Sequence, residues 1–203
     1  MGHFGGPFKF HYMANILNEL LDSVGGSNMG ALSQILGADE NKTKTAMTVA
    51  VPLLVQALSR NVQTANGAKS LDRALAKDHD GSIFGNLSGL LQNPESGNGM
   101  GILKHIFGGK QDVVNDFVGQ KSGLSAGNAG KLMTVLAPLL LGLLGKNKNS
   151  QGLNFRGIYK LLQGAARSTG TGGASKTDLN SILGGKGMGI GMKILSSFLS
   201  RRK

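Results

Sequence analysis

The chain has 203 residues, of which 40% are hydrophobic and 33 are glycine, with four prolines and no cysteine. That length allows one or two domains with a buried core, and the absence of cysteine excludes disulfides, thiolate metal sites and cysteine nucleophiles. The formal charge of +11 is uneven, because residues 1–99 carry seven Lys and Arg against eight Asp and Glu, whereas residues 100–203 carry fifteen against three.

The N-terminal residues 1–12 differ in character from the rest of the chain. They hold four of the ten aromatic residues and show no helical spacing, so we expect a flexible extension, with Met13 as a natural start. Apolar spacing then predicts short helices over 14–24 and near 29–36. No basic segment followed by an apolar segment opens the chain, so we expect no signal peptide and a cytoplasmic protein.

A long apolar helix is predicted at the centre of each half of the chain. Residues 47–61 and 133–147 are identical at eight of fifteen positions, at a constant offset of 86. Both segments are apolar on all faces, which is typical of a buried helix. Asp39 and Ser125 are matched candidates for the helix N-caps. The apolar run over 132–145 has 14 residues, and a membrane span needs about 20, so it predicts a core helix.

A proline lies deep inside each central helix, Pro52 in the first and Pro138 in the second. Proline removes the hydrogen bond to the carbonyl four residues earlier, so each helix should be kinked at a cost of about 3 kcal/mol. The simpler interpretation is a packing feature shared by duplication. A bend that forms a binding groove is the alternative.

The remaining elements repeat in the same order in both halves. An amphipathic helix is predicted over 68–77, followed by a turn at 79–82, after which Ser82 caps a helix that runs to Leu91. Residues 93–99 form a polar joint. The second half should then contain helices over 100–107, 111–119, 125–146 and 154–166, a Gly/Thr loop over 169–175 and a short segment over 178–183.

The C-terminal tail repeats an earlier sequence. Gly-Met-Gly-Ile at 187–190 copies the same four residues at 99–102. We expect an amphipathic basic helix over 188–203 that covers the end of the second unit or docks on another copy of the chain. Its apolar stripe, and therefore the candidate self-association surface, consists of Ile190, Ile194, Leu195, Phe198 and Leu199.

The predicted fold is all-α, with two tandem multi-helix units around Pro-kinked buried central helices and a C-terminal capping helix. The units span 13–99 and 100–187, and the second is the basic one. The runs His-Asp-Gly-Ser-Ile at 79–83, Asn-Leu-x-Gly-Leu-Leu at 86–91 and Ile-Leu-x-His-Ile-Phe-Gly-Gly at 102–109 resemble a bacterial domain-of-unknown-function family related to YidB-like proteins. The resemblance covers residues 13–147 and implies a small all-helical protein, without catalytic or binding residues to carry over.

Motifs for chemistry are weak in this sequence. The four histidines have no metal-ligand spacing, and His79-Asp80 is interpreted as a turn and cap. The glycines near Lys176 lack the preceding strand and the Gly-Lys pair of a phosphate loop. The basic half contains only three acidic residues. We therefore expect no enzyme, no metal, no cofactor and no small-molecule substrate.

The surplus cations of the second half point instead to an anionic partner. We expect contacts to the nucleic-acid backbone with little sequence preference, because the aromatics are too few for base stacking and no DNA-reading motif is present. Self-assembly through the tail and binding to an anionic membrane surface are the alternatives. The candidate anion-binding residues are Lys146, Lys148, Arg156, Lys160, Arg167, Lys176, Lys186, Lys193, Arg201, Arg202 and Lys203.

Overall fold

The computed structural model describes residues 11–168 and Ile182, and the regular elements within that part are all helical. This confirms the predicted all-α class. The α-helices are α1 (His11–Ser23), α2 (Ser27–Ile35), α3 (Glu40–Asn61), α4 (Ala65–Lys77), α5 (Leu87–Gln92), α6 (Gly99–Phe107), α7 (Gln111–Ser122), α8 (Ala126–Ser150) and α9 (Phe155–Ser168). Short 3₁₀ turns occupy Ser82–Asn86, Pro94–Gly97 and Gly108–Lys110.

The middle segments of the two central helices, residues 46–59 of α3 and 132–145 of α8, have almost no exposed surface on any side, as their composition predicts. On α3 the side chains of Met47, Val51 and Val55, which face away from the main apolar stripe, have no exposed surface. Pro52 and Pro138 lie inside the two helices and are also buried. The bend predicted at each proline stays a prediction.

The N-termini of α3 and α8 are built in the same way. Asp39 accepts a hydrogen bond from the backbone N–H of Lys42 at 2.8 Å, and Ser125 accepts one from the N–H of Asn128 at 3.1 Å. Gly37 and Gly123 precede them with positive φ angles of 56° and 76°, a backbone conformation that glycine adopts at little cost. Both predicted caps are confirmed.

Helices from both halves of the chain share one hydrophobic core. Helix α3 packs against α7, α8 and α9 as well as α1, α2 and α6, and α8 packs against α4. The side-chain amide of Asn128 also donates a hydrogen bond to the carbonyl of Leu36 at 2.7 Å, which joins the start of α8 to the end of α2. Each central helix is therefore buried partly by helices from the other half of the chain. The division into units at residue 99 stays a prediction.

Helix α8 is, within the described residues, the one helix long and apolar enough to cross a membrane by length and composition. Its most apolar window has a mean hydropathy of 1.4, but 78% of that window is buried inside the protein. That burial fits the predicted core helix, since the lipid-facing surface of a spanning helix would have to remain exposed.

The segment after α4 differs from its prediction. Ser82 does not cap a helix with its side chain; it begins a 3₁₀ turn, and a separate helix, α5, starts at Leu87.

Helix α8 also continues past the predicted end at residue 146, as far as Ser150. The predicted N-terminal extension, the Gly/Thr loop and the C-terminal helix lie outside the described residues.

Candidate functional site

Lys148 makes a close ion pair with Asp72. Its ammonium lies 2.6 Å from Asp72 Oδ1 and also donates to the Asp72 carbonyl at 3.1 Å. The Lys148 side chain is only 15% exposed. This predicted anion-binding residue therefore fastens α8 to α4 in the structure, and its charge is already neutralised by Asp72.

The other described cations of the predicted surface lie at the end of α8 and on α9. Lys146, Arg156 and Lys160 are exposed, and the carbonyl-terminal end of α8 is a favourable place for a cation. Tyr159, adjacent to Lys160, is 38% exposed. The end of α8 and the first turns of α9 thus present three accessible cations and one accessible aromatic ring.

Most of the predicted site lies outside the described residues. Arg167 belongs to α9. The remaining six anion-binding candidates (Lys176, Lys186, Lys193, Arg201, Arg202 and Lys203) and the five self-association candidates (Ile190, Ile194, Leu195, Phe198 and Leu199) are not described.

The predicted turn at residues 79–82 is present, and Asp80 supplies its side-chain acceptor. Asp80 Oδ1 accepts a hydrogen bond from the backbone N–H of Ser82 at 2.9 Å. That bond lowers the pKa of the Asp80 carboxyl below its usual value. Gly81 supplies the left-handed backbone, with a φ of 103°. An aspartate two residues before the donor closes this type of turn.

This turn lies directly against α8 at a glycine. A Cβ atom at Gly145 would overlap the carbonyl oxygen of His79, and one at Gly81 would come within 2.9 Å of Lys146 Cβ. The backbone of the turn therefore approaches the helix as closely as two main chains can. That contact fixes the position of His79 at the surface of α8.

The start of α6 makes a second close contact with α8, at the carbonyl released by its proline. Pro138 cannot donate a hydrogen bond to Thr134, and a Cβ at Gly99 would overlap the Thr134 carbonyl oxygen. The Cα of Gly99 thus covers an oxygen that lacks its helical partner, a position suited to a weak C–H···O contact.

Two histidines from different motifs line one cavity as a result of these contacts. His79 follows α4 and His105 lies on α6, and both face a cavity of about 270 Å³ that α3 and α8 complete. Sequence reasoning missed this pair, since the residues are 26 apart and have no ligand spacing. Burial lowers the pKa of His79 below its usual value, although the charges of Asp78 and Asp80 oppose the shift.

A second cavity of about 570 Å³ adjoins the first. Asp78, His79 and Asn98 line both cavities. Asn98 precedes α6 with a φ of 54° and is, among the described residues, the one non-glycine residue with a positive φ. Such a conformation is uncommon outside glycine and is more frequent for asparagine than for most residues. No group of three His, Cys, Asp or Glu able to hold a metal occurs in the described part of the chain.

Comparison with known proteins places the chain in a family. A family model described as a bacterial protein of unknown function (DUF937) matches residues 18–147. No curated protein and no solved structure matches the chain. The matched segment begins in α1 and ends in α8, so it contains both central helices and both cavity histidines. The chain belongs to the DUF937 family of bacterial proteins.

Proposed function

We propose that the protein is a non-enzymatic cationic binding module that contacts the nucleic-acid backbone with little sequence preference. The observation that carries the proposal is the charge of residues 100–203, where fifteen Lys and Arg face three Asp and Glu. Cations in such excess displace the counterions condensed on a duplex, and the released ions drive binding at low salt.

The described cations narrow the proposed contact surface. Lys146 and Lys160 are exposed and are the best described candidates for phosphate contacts. Lys148 is removed from that surface, because its ammonium is held by Asp72.

A salt titration of duplex binding tests the proposal. Fluorescence anisotropy of a labelled duplex of about 20 base pairs should show affinity that falls steeply with salt. The double variant K146Q/K160Q removes two phosphate contacts, so the slope of log K against log salt should become shallower by about two. Absence of binding at low salt, or affinity that does not respond to salt, would refute the proposal.

The matched control removes two charges elsewhere. Lys42 and Lys44 lie at the start of α3, next to Asp39 and Glu40 at 3.7 and 3.9 Å. K42Q/K44Q loses the same formal charge as the test variant, and it should leave the slope nearly unchanged. Equal effects of the two double variants would show that net charge alone, and not this surface, determines binding.

Self-assembly through the tail is a second candidate, favoured by the contact between Gly99 and Thr134. The tail repeats the sequence Gly-Met-Gly-Ile, and α3 repeats the threonine and proline, as Thr48 and Pro52. Helix α1 packs against α3, and its Ile16 is the counterpart of Ile102 at the offset of 86. The tail of one molecule would therefore displace α1 of the next, which gives a head-to-tail contact.

Truncation distinguishes this candidate. The full chain should have a mass above that of a monomer in light scattering, and a chain ending at Gly185 should be monomeric. Equal monomeric masses would refute it. Sedimentation with anionic vesicles tests the remaining alternative, a membrane-surface protein held by the same basic tail.

We also propose an internal repeat and a kinked shape for the two central helices. The matched caps, prolines and apolar patterns of α3 and α8 support an internal repeat of about 86 residues, with a kink at each proline. The runs at 79–83 and 102–109 support a relationship to YidB-like proteins. A cytoplasmic location fits nucleic-acid binding.

A further inference from the structure

The two adjoining cavities form one cleft between α4, α6 and the turn at residues 79–82. The smaller cavity, of about 270 Å³, is the more enclosed one. Small-molecule sites usually have volumes of about 300 to 1,000 Å³, so this cavity suits a molecule smaller than a typical drug. The larger cavity extends from Asp78, His79 and Asn98 toward Asn86 and Ser96 and gives access from solvent.

The smaller cavity has an apolar part and a polar part. Its apolar side chains come from the end of α3, from α4, from α6 and from α8; they are Leu58, Val62, Leu71, Ala74, Ile102, Ile106 and Leu141. Asp78 and His79 lie where the cavity meets the larger one, and His105 adds a polar group that lines the smaller cavity alone. An apolar chamber with a few polar groups at one side is the usual composition of a site for a small organic molecule.

The residues that line the cleft carry a charge opposite to that of the whole protein. Among the described residues lining either cavity there is no Lys or Arg, and Asp78 is the one Asp or Glu. The chain as a whole carries a formal charge of +11. A carboxylate at the rim of an apolar chamber attracts a cation and disfavours an anion. The cleft therefore selects a different partner from the basic surface.

The polar groups of the cleft are held in place by backbone contacts. The His79 N–H donates to the Ala74 carbonyl at 3.0 Å, and the carbonyl of His79 lies against Gly145. Asn61 bridges α3 to α6 by donating to the carbonyls of Ala57 and Ile106 at 3.0 and 3.2 Å. A site whose walls are already fixed loses little conformational entropy when a ligand binds.

We propose that this cleft is a binding site for a small organic cation, with an apolar body in the chamber and a protonated amine at Asp78. The imidazoles of His79 and His105 line the same chamber. The proposal does not depend on nucleic-acid binding and departs from the expectation that the protein has no small-molecule ligand. It involves no covalent step.

A pair of probes with the same body and opposite charge tests the site. The ¹⁵N-labelled full chain is titrated at about pH 7.5 with 2-phenylethylamine and, separately, with 3-phenylpropionate. The amine should shift the backbone resonances of Ile102, His105 and Asp78 in a saturable way. The carboxylate should bind at least about tenfold more weakly, because it meets Asp78 with the same charge.

Two variants separate the role of Asp78 from general charge. D78N removes the exposed rim carboxylate and should weaken amine binding by about twofold to fivefold, the change expected for one exposed ion pair. D116N removes an exposed carboxylate on α7 and should leave amine binding unchanged. Its ¹⁵N spectrum and that of D78N also report whether each variant is folded.

Three results would overturn the proposal. The two probes could shift the same resonances equally, which would mean that the chamber has no preference for a cation. D78N and D116N could change amine affinity by the same factor, which would assign the effect to net charge. The amine could also fail to shift resonances around the cleft at any concentration up to saturation of its solubility.

Discussion

Helices α3 and α8 have nearly the same apolar sequence but different neighbours in their last two turns. At the positions where α8 has Gly142 and Gly145, α3 has Gln56 and Ser59. Only α8 can therefore accept the backbone of the turn at residues 79–82 against its surface. Two helices with the same buried pattern thus have different uses, since small residues at one end of α8 admit the turn that carries His79.

The largest expected effect comes from adding a methyl group at Gly145, where the turn at residues 79–82 touches α8. In G145A the new methyl group overlaps the His79 carbonyl, so the turn has to move, and we expect a loss of about 2 to 3 kcal/mol in the free energy of unfolding. The measurement is chemical denaturation. G127A is the control, because a Cβ there meets nothing within 4 Å, and it should stabilise α8 by about 0.5 to 1 kcal/mol. Equal changes in both variants would contradict the contact.

The ion pair between α8 and α4 should rank second. D72N leaves the largely buried ammonium of Lys148 without its counter-charge, and we expect a loss of about 1 to 2 kcal/mol in the free energy of unfolding. The control is K42Q, which removes the exposed pair with Asp39 on α3 and should cost less than about 0.5 kcal/mol. A D72N variant as stable as K42Q would show that the Lys148 contact is not stabilising.

The caps test the part of the comparison in which the two helices are alike. S125A and D39A each leave one backbone N–H without an acceptor, so each should lose about 1 kcal/mol in thermal or chemical unfolding. The losses should agree within a factor of about two. A cap that mattered for one helix alone would mean that the other N-terminus is held by its tertiary contacts.

The smallest effect is expected from His79. Since burial lowers its pKa in the folded protein, the unfolded chain binds the proton more tightly, and protonation favours unfolding. The stability that neutral His79 contributes to the folded protein is fully present above the ordinary histidine pKa of about 6.5. It is lost as the pH falls below that value. The melting temperature of H79Q should therefore fall less than that of the wild type between about pH 7.5 and pH 5. Parallel curves would contradict this.

Local patterns sufficed for the helices and their caps. The apolar spacing of α3 and α8 and the residues Asp39 and Ser125 act within a few positions of the chain, so their effects are visible in sequence. Ser82 shows the limit of that reasoning, because its own N–H is taken up in the turn by Asp80 and the residues that follow form a 3₁₀ turn without a side-chain cap.

The cleft could not be predicted for a different reason. His79 and His105 line one cavity because α6 and the turn both dock on α8, and those contacts depend on glycines whose neighbours come from distant parts of the chain. The partner of Lys148 is likewise 76 residues away, at Asp72. Periodicity reports which face of a helix is apolar but not which segment covers it.

The enclosure of α3 by α7, α8 and α9 has a consequence for synthesis on the ribosome. A nascent chain that has reached only residue 99 lacks those three helices, so the apolar surface of α3 remains in contact with water. The first half therefore cannot complete its fold while the second half is still being translated. During that interval the exposed apolar surface makes the emerging segment prone to aggregation.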